Sequence, residues 1–189
     1  MTRYSLREMQ LEESRLMIRY FLDADVQYLN GMGVDPAKLP SAEDWFGLLR
    51  EDFARPLQER QFHYLLWKAD CEPIGHCNIN KIAFGASAYM HLHIWNLEHR
   101  RTGCATELLG ASIRQFFELF ELERLFCEPY AKNPAPNRAL PKVGFRLVKT
   151  YETTPGWITF YQPVNLWELD RENGIARFQS FNAGKPRSE

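Results

Sequence analysis

Between Phe62 and Phe120 the hydrophobic period of the chain changes, and that change constrains the fold more than any other feature. Phe62-His63-Tyr64-Leu65-Leu66-Trp67 is rich in the aliphatic and aromatic residues that suit strands. Asp70-Cys71-Glu72-Pro73 forms a turn signal, and a second strand covers about Ile74–Phe84. After Gly85-Ala86-Ser87, a third runs through Tyr89, Met90, His91, Leu92, His93, Ile94 and Trp95. Connections this short join antiparallel neighbours, so the three strands make a meander. From about 103 to 120 the spacing turns helical, with Leu109, Ile113, Phe116, Phe117 and Phe120 on one stripe. A sheet that must bury such a stripe is a layered α/β protein.

The flanking segments extend this plan. Residues 3–8 suit a short opening strand. Glu12 to Asn30 suits one helix, with Leu16, Tyr20, Ala24 and Tyr28 recurring every four residues, broken by Gly31-Met32-Gly33 and Asp35-Pro36. Ser41 is an expected N-cap with Asp44 three residues on, ahead of a helix carrying Trp45, Leu49 and Phe53. Downstream, Leu125-Phe126-Cys127 is a short buried strand and Asn133–Val143 a Pro-rich, broken helical segment. A strand follows Gly144, and Thr153-Thr154-Pro155-Gly156 is a hairpin tip returning through Trp157–Tyr161. The order β-α-α-β-β-β-α-β-α-β-β predicts a mixed, mostly antiparallel sheet flanked by helices on both faces. Residues 1–165 are expected to form one domain and 166–189 a C-terminal extension, docked by Phe178 and Phe181.

Charge narrows the partners. The 23 basic residues almost cancel 24 acidic ones, leaving −1, so no whole-molecule field exists to hold a nucleic-acid backbone. No apolar run approaches the roughly 18 residues of a membrane span, and the N-terminus lacks the apolar core of a secretion signal. A cytoplasmic protein without nucleic-acid or membrane partners is expected. Cys71, Cys77, Cys104 and Cys127 are scattered without Cys-x-x-Cys spacing and are expected as free thiols.

The segment Leu97-Glu98-His99-Arg100-Arg101-Thr102-Gly103-Cys104-Ala105-Thr106-Glu107 concentrates chemistry. It joins a strand to the strongest helix, whose N-terminus offers unpaired N–H donors and the positive dipole end. Gly103 permits close approach or positive φ, Ala105 keeps the first turn uncrowded, and His99, Arg100 and Arg101 add charge. By itself this also describes an ordinary turn with solvated arginines.

A second observation separates the two. Arg100-x-x-Gly103-x-Ala105 resembles the acyl-CoA pyrophosphate loop of the GNAT N-acetyltransferase superfamily, at the expected place after the fourth strand. Asn133-Pro134-Ala135-Pro136-Asn137 through Lys142-Val143-Gly144-Phe145 is similar to the superfamily's Asn-containing segment that leads through Gly-Phe into the sixth strand. The resemblance implies a GNAT-like α/β fold and an acetyl-CoA-dependent N-acetyltransferase, closest to the RimJ/RimL-like branch. It implies a pyrophosphate loop of Arg100, Arg101, Thr102, Gly103, Cys104 and Ala105. Asn133 and, less cleanly because of Pro136 and Pro141, Asn137 would contact the cofactor. Ile94, Trp95, Asn96 and Leu97 would supply the oxyanion donor and pantetheine contacts. Its acceptor would be an amine of a small molecule or protein N-terminus. Glu128-Pro129-Tyr130…Asn133 is also similar to acyltransferases acting on siderophore hydroxylamines. A homodimer is left open.

Acetyl transfer requires a neutral amine, a donor for the developing oxyanion and a proton for the leaving thiolate. His91 and His93, i and i+2 on one strand face, are the candidate proton relays. Arylalkylamine acetyltransferases carry a similar His-x-His on this strand. Packing against the helix layer, or a two-His metal site without a third ligand, remains the alternative. Leu140 stands where many members carry an acidic Tyr, so the acid is Tyr130 or solvent. That departure keeps a non-catalytic acyl-CoA-binding module as the rival reading. Cys104 lies where a thiol can be activated, yet no base accompanies it, so direct attack in a ternary complex is expected. Tyr28, Trp45, Phe46, Trp157 and Phe160 are the expected walls of an aromatic acceptor pocket.

Overall fold

A computed structural model describes residues 2–100 and 102–176. The chain forms β1 (Tyr4–Glu8), α1 (Ser14–Leu22), α2 (Val26–Met32), α3 (Ala42–Phe53), β2 (Phe62–Ala69), β3 (Glu72–Ala83) and β4 (Ser87–Ile94). It continues through α4 (Cys104–Leu119), β5 (Arg124–Cys127), α5 (Pro134–Ala139), β6 (Arg146–Thr153), β7 (Gln162–Asp170) and α6 (Arg171–Ala176). One seven-stranded sheet results, in the order β1-β2-β3-β4-β5-β7-β6. Only β4 and β5 are parallel; the other neighbours are antiparallel, as the short connections require.

Two apolar layers hold the sheet. On one face the α4 stripe Leu109, Ile113, Phe116 and Phe117 packs over Leu65, Trp67, Ile79 and Met90, all fully buried. Burial of each such side chain contributes about 1.5–3 kcal/mol. The buried Trp67 indole donates to Ser112 Oγ at 2.9 Å, so the polar atoms at this contact are satisfied. On the other face α1 and α3 cover Tyr64 and Leu66 with Met17, Ile18, Phe21, Trp45 and Leu49. Helices therefore flank both faces, as expected.

Three segments differ from expectation. The first helix is two: Asp25 accepts the Tyr28 N–H at 2.7 Å and caps α2, so the chain turns at residues 23–25. The buried face of α1 is Met17, Ile18 and Phe21, while Leu16 is exposed. The return strand of the last hairpin is Gln162–Asp170 and not Trp157–Tyr161. Thr159 instead closes a tight turn on Gly156 and bridges to Val34. The expected boundary at 165 thus falls inside β7, whose continuation α6 packs Gly174 against the Phe117 ring. Phe178 and Phe181 lie outside the described residues.

The 154–161 loop is fastened to the α2–α3 connection. Asp35 N–H donates to Ile158 O at 2.8 Å, Lys38 Nζ to Thr159 O at 2.7 Å, and Gln162 Nε2 to Gly33 O at 2.9 Å. Gly33 ends α2 at φ +86°, and a Cβ there would stand 2.1 Å from Gln162 Oε1. Its glycine is set by the left-handed backbone, and the Gln162 side chain lies over it.

Candidate active site

The central feature is where β4 leaves its neighbour. It pairs with β5 only over Ser87–Tyr89, so Met90 to Ile94 lie beside no partner strand on that side. Trp95 N–H donates to Ile74 O at 2.8 Å on β3, and by alternation Leu92 and Ile94 turn their backbone groups into the gap. Of the segment Ile94-Trp95-Asn96-Leu97, Ile94 offers its N–H to the gap. The Trp95 N–H is already spent on β3, and its indole donates to His76 Nδ1 at 2.9 Å under the α1 layer. Asn96 caps the following turn by accepting the Glu98 N–H, and Leu97 is exposed.

That turn delivers the chain to α4. Gly103 is the N-cap at φ +91°, and a Cβ would meet nothing within 4 Å. The glycine is therefore set by the left-handed backbone, and space before the helix is open. Thr102 Oγ1 donates to His99 O and receives the Cys104 N–H, pinning the turn. Cys104 is buried with Sγ donating to His99 O at 3.2 Å, so its thiol is structural. Ala105 follows in the first turn of α4. Arg101 lies outside the described residues.

Arg100 departs from the expected phosphate contact. Its guanidinium turns back, donating from Nη2 to Ile94 O at 2.7 Å and to the Tyr28 hydroxyl. The cation lies 5.1 Å from the Tyr28 ring centroid. What draws it inward is tertiary: a carbonyl left bare by the parting strands and a phenol from α2.

His91 and His93 share one face of β4 with Tyr89, and His93 lies under Tyr20 and Phe21 of α1. Asn80 Oδ1 lies 3.1 Å from His91 Nε2, so that nitrogen carries the hydrogen and Nδ1 is the basic one. Burial, with Lys81 adding repulsion, lowers the His91 pKa to about 4. His93 stacks on His76 at 5.0 Å and meets the rings of Phe21 and Tyr20. Burial, then His91 and Arg100, lowers its pKa to about 3. Both imidazoles are neutral above mildly acidic pH, so each accepts a proton only transiently. His76, which the sequence did not single out, is also held neutral by burial, since its Nδ1 accepts from Trp95.

The downstream asparagines divide. Asn133 caps α5 by accepting the Ala135 N–H at 3.2 Å and lines a cavity of about 420 Å³ with Asp25, Gln27, Tyr28, Gly31 and Met32. Asn137 is committed to structure. Its Nδ2 donates to Tyr130 O and Asn133 O, and its Oδ1 accepts from Asn165 and the Trp167 indole. Its side-chain amide is thus fully engaged within the protein. Tyr130 packs edge-on against Phe160 at 5.8 Å and its backbone bridges to Val164. Leu140 is fully buried in the α4-side core, so that position supplies no acid. Of the expected pocket walls, Tyr28 lines the cavity, while Trp45 and Phe46 are core residues. Trp157 is 47% exposed and leans on Trp45.

A parted parallel pair leading into a left-handed glycine and a helix N-terminus can cradle an extended anionic thioester. No curated protein sequence matches the chain. Among solved structures it is similar to a spermidine N-acetyltransferase from Vibrio cholerae in complex with CoA and spermine. The identity there is 15% and the TM-score 0.74, covering 91% of this chain and 98% of that one. It is also similar to Mycobacterium smegmatis RimJ in complex with CoA-disulfide, at 17% identity and TM-score 0.74, covering 94% and 88%. Similarity at this identity concerns the fold. The family model of the acetyltransferase (GNAT) domain matches residues 3–146, and on that match the chain belongs to the GNAT acetyltransferase family.

Proposed function

We propose that this protein transfers an acetyl group from acetyl-CoA to a primary amine by direct attack in a ternary complex. The carrying observation is the separation of β4 from β5 after Tyr89, which opens onto the Gly103 turn. The thioester would lie along β4 with its carbonyl near the Ile94 N–H, and the pyrophosphate at the start of α4 with Thr102, Gly103 and Ala105. Asn133 stands where the pantetheine arm would pass. Among the described residues no cysteine thiol is exposed to this gap: that of Cys104 is buried, and so is that of Cys127, whose Sγ donates to Met90 O. That supports direct attack.

The amine would enter from the α1–α2 side. Desolvation beside His93, which packs against the rings of Phe21 and Tyr20, would also lower the affinity of an alkyl ammonium for its proton. The amine proton leaves through His91 or His93 to water. The cavity holds one carboxylate, Asp25, whose Oδ1 is spent on the Tyr28 N–H. That supports an acceptor with one amine on an apolar carrier or a peptide N-terminus over a polycation.

Free-thiol release from acetyl-CoA, measured with simple monoamines, spermidine and short peptides with free N-termini, tests the reading. Turnover with monoamines or peptides above spermidine supports it. CoA binding without thiol release from any of them would favour a non-catalytic binding module.

A further inference from the structure

The face of the sheet that carries α1 to α3 is covered over only part of its width. Those helices pack on β2 and on Trp95 after β4, whereas Tyr89, Phe126, Leu166 and Tyr151 join neither apolar layer. Register sets these four on one face of β4, β5, β7 and β6: Tyr89 pairs with Phe126, Phe126 with Glu168, and Leu166 with Lys149. The Tyr89 and Phe126 rings meet at 5.3 Å, and all four side chains are half-buried. They make an apolar floor that continues from His91 toward the edge of the sheet.

Cations stand on this floor, and their counter-charges lie beneath it. Lys81 Nζ is 3.7 Å from Glu128 Oε2 and 4.5 Å from the Tyr89 ring centroid. Arg146 Nη2 donates to Glu168 Oε2 at 2.8 Å, and Arg124 Nε is 3.6 Å from the other oxygen. Lys149 Nζ lies 4.6 Å from the Tyr151 ring centroid and makes no ion pair among the described residues. The Lys81, Arg124 and Arg146 side chains are 49%, 60% and 73% exposed, those of Glu128 and Glu168 only 6% and 11%. Glu128 is also held by the Tyr151 hydroxyl, and Asp170, the third carboxylate here, is taken up by Asn173. Four cations thus meet two buried carboxylates, and the side that faces solvent is positive.

The position of the floor says what meets this charge. Tyr89 is five residues before Ile94 on β4, roughly 17 Å at the rise of a strand. An extended polypeptide with its N-terminal amine at the gap therefore reaches Tyr89 after about five residues. Its next residues lie among Lys81, Arg124, Arg146 and Lys149. A nucleic-acid strand, though anionic, has no alkyl amine to place at the gap.

We propose that this surface binds an acidic stretch, at about positions five to eight, of a polypeptide acetylated at its N-terminus. The proposal rests on the acetyl-transfer reading and narrows its acceptor to a protein. The floor buries intervening apolar side chains, and the cations make charge-assisted contacts that a monoamine cannot use. The same cations repel a polyamine.

Peptides of about ten residues, identical except for acidic, neutral or basic side chains at those positions, test it beside a simple monoamine. In wild type at low salt, kcat/KM for the acidic peptide should exceed that for the neutral one about tenfold, mostly through KM. The basic peptide should be the poorest. Raising the salt to about 0.3 M should shrink the difference to about threefold. Lys149→Glu should reduce the advantage of the acidic peptide and raise kcat/KM for the basic one about threefold, a gain that misfolding cannot imitate. Arg146→Gln should raise the KM of the acidic peptide about threefold. Equal kcat/KM for the three peptides, or a basic peptide that Lys149→Glu does not improve, would overturn the proposal and leave acetyl transfer in place. So would an oligothymidylate bound by wild type and lost in Lys149→Glu without any preference for the acidic peptide, which would assign the face to nucleic acid. Turnover of neither peptides nor monoamine would instead overturn the acetyl-transfer reading, and this proposal with it.

Discussion

The carboxamide oxygen of Asn137 accepts the indole N–H of Trp167 at 2.9 Å, across residues that belong to different layers of the molecule. Through its four hydrogen bonds Asn137 fastens α5 to β7 and to the loop after β5. Asn137→Ala leaves a buried indole N–H unsatisfied, which costs about 1–3 kcal/mol. The expected Tm is lower by roughly 3–10 °C for a chain of this size. Below that transition the KM for acetyl-CoA should be unchanged, and a melting curve beside a saturation curve checks both.

Gly103 separates strain from charge. Gly103→Ala places a Cβ in open space at φ +91°, so only the backbone penalty applies, about 1 kcal/mol. Gly103→Glu adds a carboxylate where phosphates are expected. CoA should raise the Tm of wild type and of the alanine variant and fail to raise that of the glutamate variant. An equal shift in all three would remove the loop from the binding site.

The half-buried imidazoles of β4 predict an acid-labile fold. His91 and His93 are held at about 4 and about 3, against an unfolded value near 6.5. Below about 6.5 the unfolded chain binds protons that the folded one refuses, so stability falls as the pH drops toward 4 and is unaffected above neutrality. Each histidine contributes a slope of up to about 1.4 kcal/mol per pH unit. Urea midpoints measured between neutral and mildly acidic pH should decline in wild type and decline less in His93→Phe, whose ring suits the contacts with Phe21 and Tyr20.

Thiol accessibility tests direct attack. Cys71 is exposed, and Cys77, Cys104 and Cys127 are buried. A chromogenic disulfide should titrate one thiol rapidly in the native protein and all four after denaturation. The singly modified protein should retain its acetyl-transfer rate; loss of that rate would point to a thiol in the reaction.

Much of this architecture was legible because periodicity and burial coincide. Leu109, Ile113, Phe116, Phe117 and Phe120 announce α4 at any reading, and Gly103 marks its start. The split at residues 23–25 was hidden because Leu16, Tyr20, Ala24 and Tyr28 keep a four-residue rhythm across it. Asp25 ahead of Val26 was the available cap signal. The last strand was misplaced because Trp157 to Tyr161 looks more strand-like than Gln162 to Asp170. Inside β7, Glu168 is tolerated because Arg146 on β6 meets it at 2.8 Å. In the site, the Gly103 turn was legible from local spacing. The direction of the Arg100 side chain was not, since it depends on Tyr28, which is 72 positions away.

The contact between Gly33 and Gln162 bears on how this pocket could take a larger acceptor. The Gln162 amide lies over Gly33 and donates to its carbonyl at 2.9 Å, so the end of α2 is indexed to the start of β7 at one point. Accommodating a larger acceptor therefore falls to side-chain truncation along the groove, at Gln27 or Met32 for example.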